Sequence, residues 1–450
     1  PNQPYLNLGS GIRDNNAGAS ELALAGFFAR LNYSYNDKYF LELNGRRDGT
    51  SRFSQTLDKQ WGNFGAVSAA WVFSKEKFME SMSKDILFGK LRASLGGNGN
   101  QNIGNNYAFD AFYAQSAYSN PNNGTNAYFG NSTNLGFALL QFANPNLSWE
   151  TSRQFNIGVD LTLMNHFTFT ADYYVKTLKN MLLQRTLPQS AGGLTNPFVN
   201  AGNMENKGWE FSVNYKNRFG KLGVDVTAMI SDVKNKVVSL VDGTPFIGDG
   251  IRTAPGEALN SYFGYVSAGY FSDSNDIKIS PIQFGIPWSP SPTTGPKPGD
   301  VRYADLNNDG KIDANDRKFI GNAFPRYEYS ININLNYGNW DLSIFGQGVG
   351  QRNNYLRLLP SGSGGNNYLL ASQWIRSAAY FRIKNINIGY TLPKSLLNKA
   401  KINSLRIYFS CANLLTLSDA WKGFDPEINS ANAEFYPLMR TFTGGINVNF

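Results

Sequence analysis

The fold class predicted from the sequence is all-β, an antiparallel transmembrane barrel wall with long external loops and short periplasmic turns. Three observations carry it. Apolar and polar residues alternate with a period of two, the alternating spans are about ten residues long, and the connections between them switch regularly between short and long. Alternation is clearest over 326–337, where Tyr327, Tyr329, Ile331, Ile333, Leu335 and Tyr337 interleave with Glu328, Ser330, Asn332, Asn334 and Asn336. That pattern collects the apolar groups on one face of a strand and would scatter them around a helix. Phe155, Ile157, Val159, Leu161 and Leu163 alternate in the same way with Gln154, Asn156, Gly158, Asp160 and Thr162. Leu405, Ile407, Phe409 and Cys411 oppose Ser404, Arg406, Tyr408 and Ser410, and at the end Phe442, Ile446, Val448 and Phe450 oppose Thr441, Thr443, Asn447 and Asn449.

In chain order the spans are 22–35, 38–48, 62–74, 86–97, 150–163, 166–178, 205–216, 221–234, 326–337, 340–351, 378–391, 402–413 and 438–450. Each has roughly the length a tilted strand needs to cross a bilayer. Short connections centre on Asn36-Asp37, 74–85, Met164-Asn165, 216–220, Gly338-Asn339 and 392–401, while long ones cover 49–61, 98–149, 179–204, 235–325, 352–377 and 414–437. Outer-membrane barrels have short turns on the periplasmic side and long loops outside, so the chain is expected to end in the periplasm. The segment 260–271 also reads as a strand, but a further crossing there would break the parity of the loops, so it belongs to an external insertion spanning 235–325. Tyr33, Tyr35, Trp71, Trp149, Tyr173, Tyr337, Trp340 and Tyr390 lie near span ends, where they suit interfacial girdles or simply reflect the preference of aromatics for strands.

Composition narrows the function. Of 450 residues, 42% are apolar, 14% aromatic and 16% charged, which excludes a disordered chain. The single cysteine, Cys411, excludes an internal disulfide, and the single histidine, His166, excludes His-rich metal centres and most triads, so no enzyme is expected. The net charge of +8 is spread without a basic block, so no nucleic-acid partner is expected. No apolar run is long enough for a transmembrane helix, and the start has no signal-peptide pattern, which leads to the expectation that Pro1 is not the native beginning. Alternation alone does not say whether the apolar face meets lipid or a second sheet. The alternative is a secreted, calcium-stabilised β-rich binding or adhesion module; loop parity and loops of about 50 and 90 residues favour the membrane.

One segment carries chemistry of its own. Asp305, Asn307, Asp309, Lys311, Asp313 and Asp316 occupy positions 1, 3, 5, 7, 9 and 12 of a calcium-type loop, with Gly310 at the sharp turn and Lys311 contributing its carbonyl. Calcium takes six to eight hard oxygens, and this spacing wraps them around one point. Asp316 stands where glutamate is usual, so a shorter arm must reach; a self-bonded Asp/Asn turn is the other reading. Among external aromatics, Tyr128, Tyr368 and above all Trp288, Trp374 and Trp421 are placed to stack on a substrate or to pack the loops.

The stretches RRDGTSRF (46–53), WGNFGAVSAAWVFSKEKF (61–78), LRASLGGNGNQNIG (91–104), NPNLSWETSRQFNIGVDL (144–161), NMENKGWEFSV (203–213), YADLNNDGKIDANDRKFIG (303–321), YFRIKNINIGYTLP (380–393) and YPLMRTFTGGINVNF (436–450) resemble the C-terminal barrel of the SusC/RagA family over nearly the whole chain. These are TonB-dependent outer-membrane transporters of Bacteroidota. The resemblance implies a barrel of roughly 22 strands closed by a plug, a SusD-like surface lipoprotein as lid, the TonB complex as energy source, and a glycan or peptide as cargo. Plug, TonB box and the first strands have no counterpart here, so 1–450 is expected to be a C-terminal portion.

Overall fold

The structure is a computed structural model that describes residues 19–82, 85–115, 127–129, 132–134, 137–185, 187, 190, 194–243, 245–248, 250–286, 295–356, 367, 369–397, 402–420, 422–428 and 438–450. Thirteen strands form one sheet in which each pairs with the next in sequence. They are β1 Leu24–Tyr35, β2 Tyr39–Thr50, β3 Trp61–Trp71, β4 Ile86–Asn100, β5 Glu150–Leu163, β6 Phe167–Lys179, β7 Gly202–Phe219, β8 Leu222–Leu240, β9 Arg326–Tyr337, β10 Trp340–Gln351, β11 Tyr380–Thr391, β12 Ser404–Ser418 and β13 Thr441–Asn449. All pairs are antiparallel. The expected spans are all present in the expected order, and no helix among the described residues is long and apolar enough to cross a membrane.

Register turns the alternation of single strands into a continuous band. Leu31 faces Leu43, Leu43 faces Val67, Val67 faces Leu95, and Leu95 faces Phe155. Across the middle Val226 faces Ile333, Ile333 faces Ile344 and Ile344 faces Ile386, which faces Cys411 and then Phe442. Many of these side chains, including Leu43, Leu95, Ile157, Phe211, Ile388 and Phe409, are exposed in the isolated chain. At the short-turn end Tyr337, Trp340 and Tyr390 are cross-strand neighbours, with the Trp340 and Tyr390 rings 4.8 Å apart, and Tyr35 stacks on Tyr39. The turns themselves follow local chemistry: Asn36, Asp37, Met164 and Asn165 have positive φ, and Gly220 and Gly338 take a left-handed first position in two-residue turns.

The buried apolar clusters lie in the layer above the wall. One joins Phe53, Ile103, Ala108, Leu147 and Trp149; another joins Tyr265, Val301, Tyr303, Ile312 and Ala371; a third joins Met181, Met204, Val237 and Leu240. Trp149 is therefore core, not part of an interfacial girdle. Segment 260–271 divides into two short strands, Ser261–Tyr265 and Ser267–Tyr270, in small sheets apart from the wall, as the loop parity requires.

β7 and β8 reach further than 205–216 and 221–234 because the polarity of their faces inverts. Up to Ile230 the outward side of β8 is apolar (Val226, Ala228, Ile230); from Asp232 it is polar (Lys234, Lys236), while inward Val237 becomes fully buried on the third cluster. Outward lipid thus gives way to water, and a pattern that reverses sign no longer reads as one strand.

A lysine placed at Ile333, in mid-band, should weaken folding into bilayers by about 2–4 kcal/mol, whereas one at the adjoining inward-facing Asn334 should cost less than about 1 kcal/mol. Equilibrium folding titrations in lipid vesicles, followed by heat-modifiable mobility, check both; equal costs would reject the assignment of faces.

Candidate functional site

Inward-pointing residues make a polar wall organised by arginines. Arg92 on β4 reaches across β5 to make paired bonds to Asp160 (2.8 and 3.1 Å) and to Asp172 on β6 (2.8 Å twice). Gly158 makes this span possible: a Cβ there would sit 2.3 Å from Asp172 Oδ1 and 2.9 Å from Arg92 Cζ. Arg406 forks onto Asp341 in a second, similarly part-exposed pairing, and also donates to Asn387. Two neighbouring inward carboxylates, Glu210 on β7 and Glu328 on β9, flank Ser231 of β8 by register. With Asp172, Gln347 and Tyr380 they line a groove of about 500 Å³.

Above this groove the chain folds back on the wall. The segment Asp425–Ile428 is held by side chains from two strands, β10 and β11, and the loop after β10. Arg382, only 1% exposed, donates to Glu427 Oε2 (2.5 Å), Asp425 Oδ2 (2.6 Å) and Thr416 Oγ1 (2.8 Å). Tyr380 and Gln347 donate to Glu427 Oε1, Lys384 to Oε2, and Asn354 to the carbonyls of Pro426 and Ile428. A β-bulge at Lys384 in β11 lets Arg382 and Lys384 converge on one carboxylate. Burial would raise the Glu427 carboxyl, but the bonds from Tyr380 and Lys384 and the charges of Arg382 and Lys384 outweigh it and hold the group below its usual range.

In the sequence Arg382 and Arg153 both fall on or near polar strand faces, for which a solvated lumen is the plain expectation; for Arg382 the structure corrects this, since Asp425 and Glu427 take it out of water. Nothing local signals the contact, because the partners are 43 and 45 residues apart. Arg153, also expected on or near the polar face, is exposed on the outward side, in register with Thr177. RRDGTSRF proves to be an anchoring corner: Arg52 bonds Gln101 and Asn106, while Phe53 is fully buried.

Of the expected substrate tryptophans, Trp288 and Trp421 lie outside the described residues. Trp374 packs against the cluster of Tyr265, Tyr303 and Ile312. The calcium-type loop sits against the same cluster through the fully buried Ile312. Asp305 accepts from the Asn308 and Gly310 amides, Asn307 from the Asp309 amide, Asp309 from the Lys311 amide and Asp313 from the Asn315 amide. Asp316, fully buried, accepts from the Leu306 and Asp313 amides and staples the loop shut. Among the described residues no three of His, Cys, Asp and Glu are gathered around one point for a metal.

An up-and-down sheet with one apolar and one polar face, girdled by aromatics and with the large buried clusters of the described residues beyond one rim, defines the class of outer-membrane β-barrels. The family described as TonB dependent receptor-like, beta-barrel matches residues 1–414, and the chain belongs to it, in its SusC/RagA-like branch. It is similar to TonB-dependent receptor P3 of Formosa agariphila, with 33% identity over 96% of this chain and 46% of that protein. It is also similar to TonB-dependent receptor SusC of Bacteroides thetaiotaomicron, with 26% identity over 98% of this chain and 45% of that one. The chain thus spans about half the length of the curated relatives it matches. In fold it matches the RagAB peptide transporter with a TM-score of 0.77 at 21% identity, covering 98% of this chain and 49% of that one. Membership settles the question alternation left open: the protein lies in the outer membrane, and the apolar band faces lipid.

Arg382→Gln should strip a buried pair of its cation and loosen Asp425–Ile428, at a cost of about 3–5 kcal/mol; Arg406→Gln, at a half-exposed pair, should cost no more than about 1 kcal/mol. Limited proteolysis of the loop after β12 reports the difference. Because the folded Glu427 carboxyl titrates below its unfolded value, the wild-type segment should be protected above about pH 4.3 and lose that protection as pH falls through the lowered value. Equal cleavage of all three proteins at neutral pH would refute the latch.

Proposed function

We propose that the chain forms the C-terminal wall of an importer that carries oligosaccharides or peptides across the outer membrane, driven by the TonB complex and lidded by a SusD-like surface lipoprotein. No catalytic step is part of this reading. The observation that carries it is the groove on the inward face, lined by carboxylates, amides and hydroxyls and bordered at Gln347 and Tyr380 by the segment Asp425–Ile428. Glu210, Glu328 and the Gln347 carbonyl offer acceptors suited to the hydroxyls or amide N–H groups of such cargo. A solved transporter of the same fold is described as carrying peptide, which supports the peptide arm. In this reading Trp288 and Trp421 contact cargo, while Trp374 packs within the external layer.

Deleting the gene should abolish growth on one of two sole nutrients, a mixed oligosaccharide pool or a mixed peptide pool. Reintroducing Glu210→Gln with Glu328→Gln should restore at most about one-tenth of the wild-type uptake rate, as expected when two bonds of about 0.7 kcal/mol each are lost. Unchanged growth on both pools would sink the import reading.

The 305–316 loop is proposed to take calcium. Each of its carboxylates keeps lone pairs beyond the amide bonds it accepts, and Asp305, Asn307, Asp309, the Lys311 carbonyl, Asp313 and Asp316 are the ligands by position. Calcium should raise the melting temperature of the external layer in the wild type and not in Asp309→Ala, since a ligand that binds only the folded loop stabilises it. Identical melting with calcium and with EGTA would reject the site.

A further inference from the structure

Just above the apolar band, on the outward side of β5 to β8, cations collect where the sheet turns from lipid to water. Lys207 and Lys234 stand directly opposite each other on neighbouring strands, and Lys236 stands opposite Glu205 one row higher. Like charges placed opposite one another weaken a sheet, so this arrangement has a cost that folding alone does not explain. Two strands away Arg153 faces Thr177, which faces Glu205 in turn. All four cations are exposed. Glu205 bonds Lys207 at 2.8 Å, and among the described residues Arg153, Lys234 and Lys236 have no ion-pair partner. Four cations against one carboxylate leave an excess of three positive charges across four strands, a width of about 15 Å.

The level of this patch is fixed by what lies beneath it. Tyr173 and Trp209, an exposed cross-strand pair, form the row immediately below Lys207, and Phe211 and Ile230 follow in the lipid-facing band. Aromatics sit at the headgroup level of a bilayer. Cations one row further out therefore meet the phosphate zone of the leaflet on the long-loop side, where each basic group strengthens binding to an anionic surface. Asp232 on the same face does not cancel them, because Arg326 takes both its oxygens.

We propose that Arg153, Lys207, Lys234 and Lys236 form a docking surface for the phosphate-bearing headgroup of an outer-leaflet lipid. The headgroup neutralises the opposed lysines while its acyl chains continue along Tyr173, Trp209 and the apolar band below. A free phosphate ion would gain only the first of these contacts, which is why the surface fits a lipid.

The test uses the complete protein in phosphatidylcholine nanodiscs containing a minority of lipid A, with retained lipid counted by native mass spectrometry. Wild-type protein should retain lipid A, release it when the lipid is dephosphorylated beforehand, and hold it in the presence of inorganic phosphate. Arg153→Gln, Lys207→Gln and Lys234→Gln together should weaken retention about a hundredfold, at about fivefold per cation; Lys234→Gln alone supplies the fivefold step should the triple variant misfold. Lys221→Gln, at the opposite end of the same hairpin, should change nothing. Equal retention by wild type and variants overturns the proposal, as does displacement by inorganic phosphate, or loss of an acidic protein partner with lipid retention unaltered.

Discussion

Every backbone N–H and C=O that crosses hydrocarbon must be bonded within the sheet, because no water is there to take its place. The rest of the molecule depends on that constraint. It imposes unbroken antiparallel pairing from β1 to β13, which fixes register, and register aligns the separate apolar faces into one band. It also exports irregular backbone to the two rims. On one side four of the six connections shrink to two- and three-residue turns; on the other they swell into a layer with its own buried clusters.

The inward face answers a different demand. Its charges stand in water, but close enough to one another that partner choice matters, and arginine is used where one cation must serve two acids in a fixed geometry. Arg92 joins Asp160 on β5 with Asp172 on β6, and Arg382 joins a wall strand to a loop. Only the second is withdrawn from solvent, so only there does each partner depend strongly on the other. The barrel wall is thereby stiffened by open pairs, and the loop segment Asp425–Ile428 is secured to it by a closed one.

The wall was legible in the sequence because two solvents with opposite preferences act on alternate residues, leaving a period that composition cannot imitate. Tyr327 to Tyr337 illustrates how little else was needed. The pattern failed where one solvent replaced the other: above Asp232 the apolar side turns inward to Val237 and Leu240, and the reading of β8 stopped short. It failed again at Arg382, since a side chain's parity tells which face it occupies and not which distant loop will cover it. The calcium-type loop was legible as spacing, and its packing through Ile312 on Tyr265 and Tyr303 was not, because those contacts close across an insertion with no periodicity of its own.

The inversion of faces along β7 and β8 divides one hairpin into two storeys that answer to different media. Urea or guanidinium acts in proportion to the surface newly offered to water, and the lower storey, on leaving its neighbours, would offer much of its outward surface to acyl chains instead. The upper storey and the clusters resting on it can therefore melt in denaturant while the crossing segments remain paired. A single hydrogen-bonded hairpin would then show two midpoints, with the break falling at Asp232, where no bend, bulge or proline marks it.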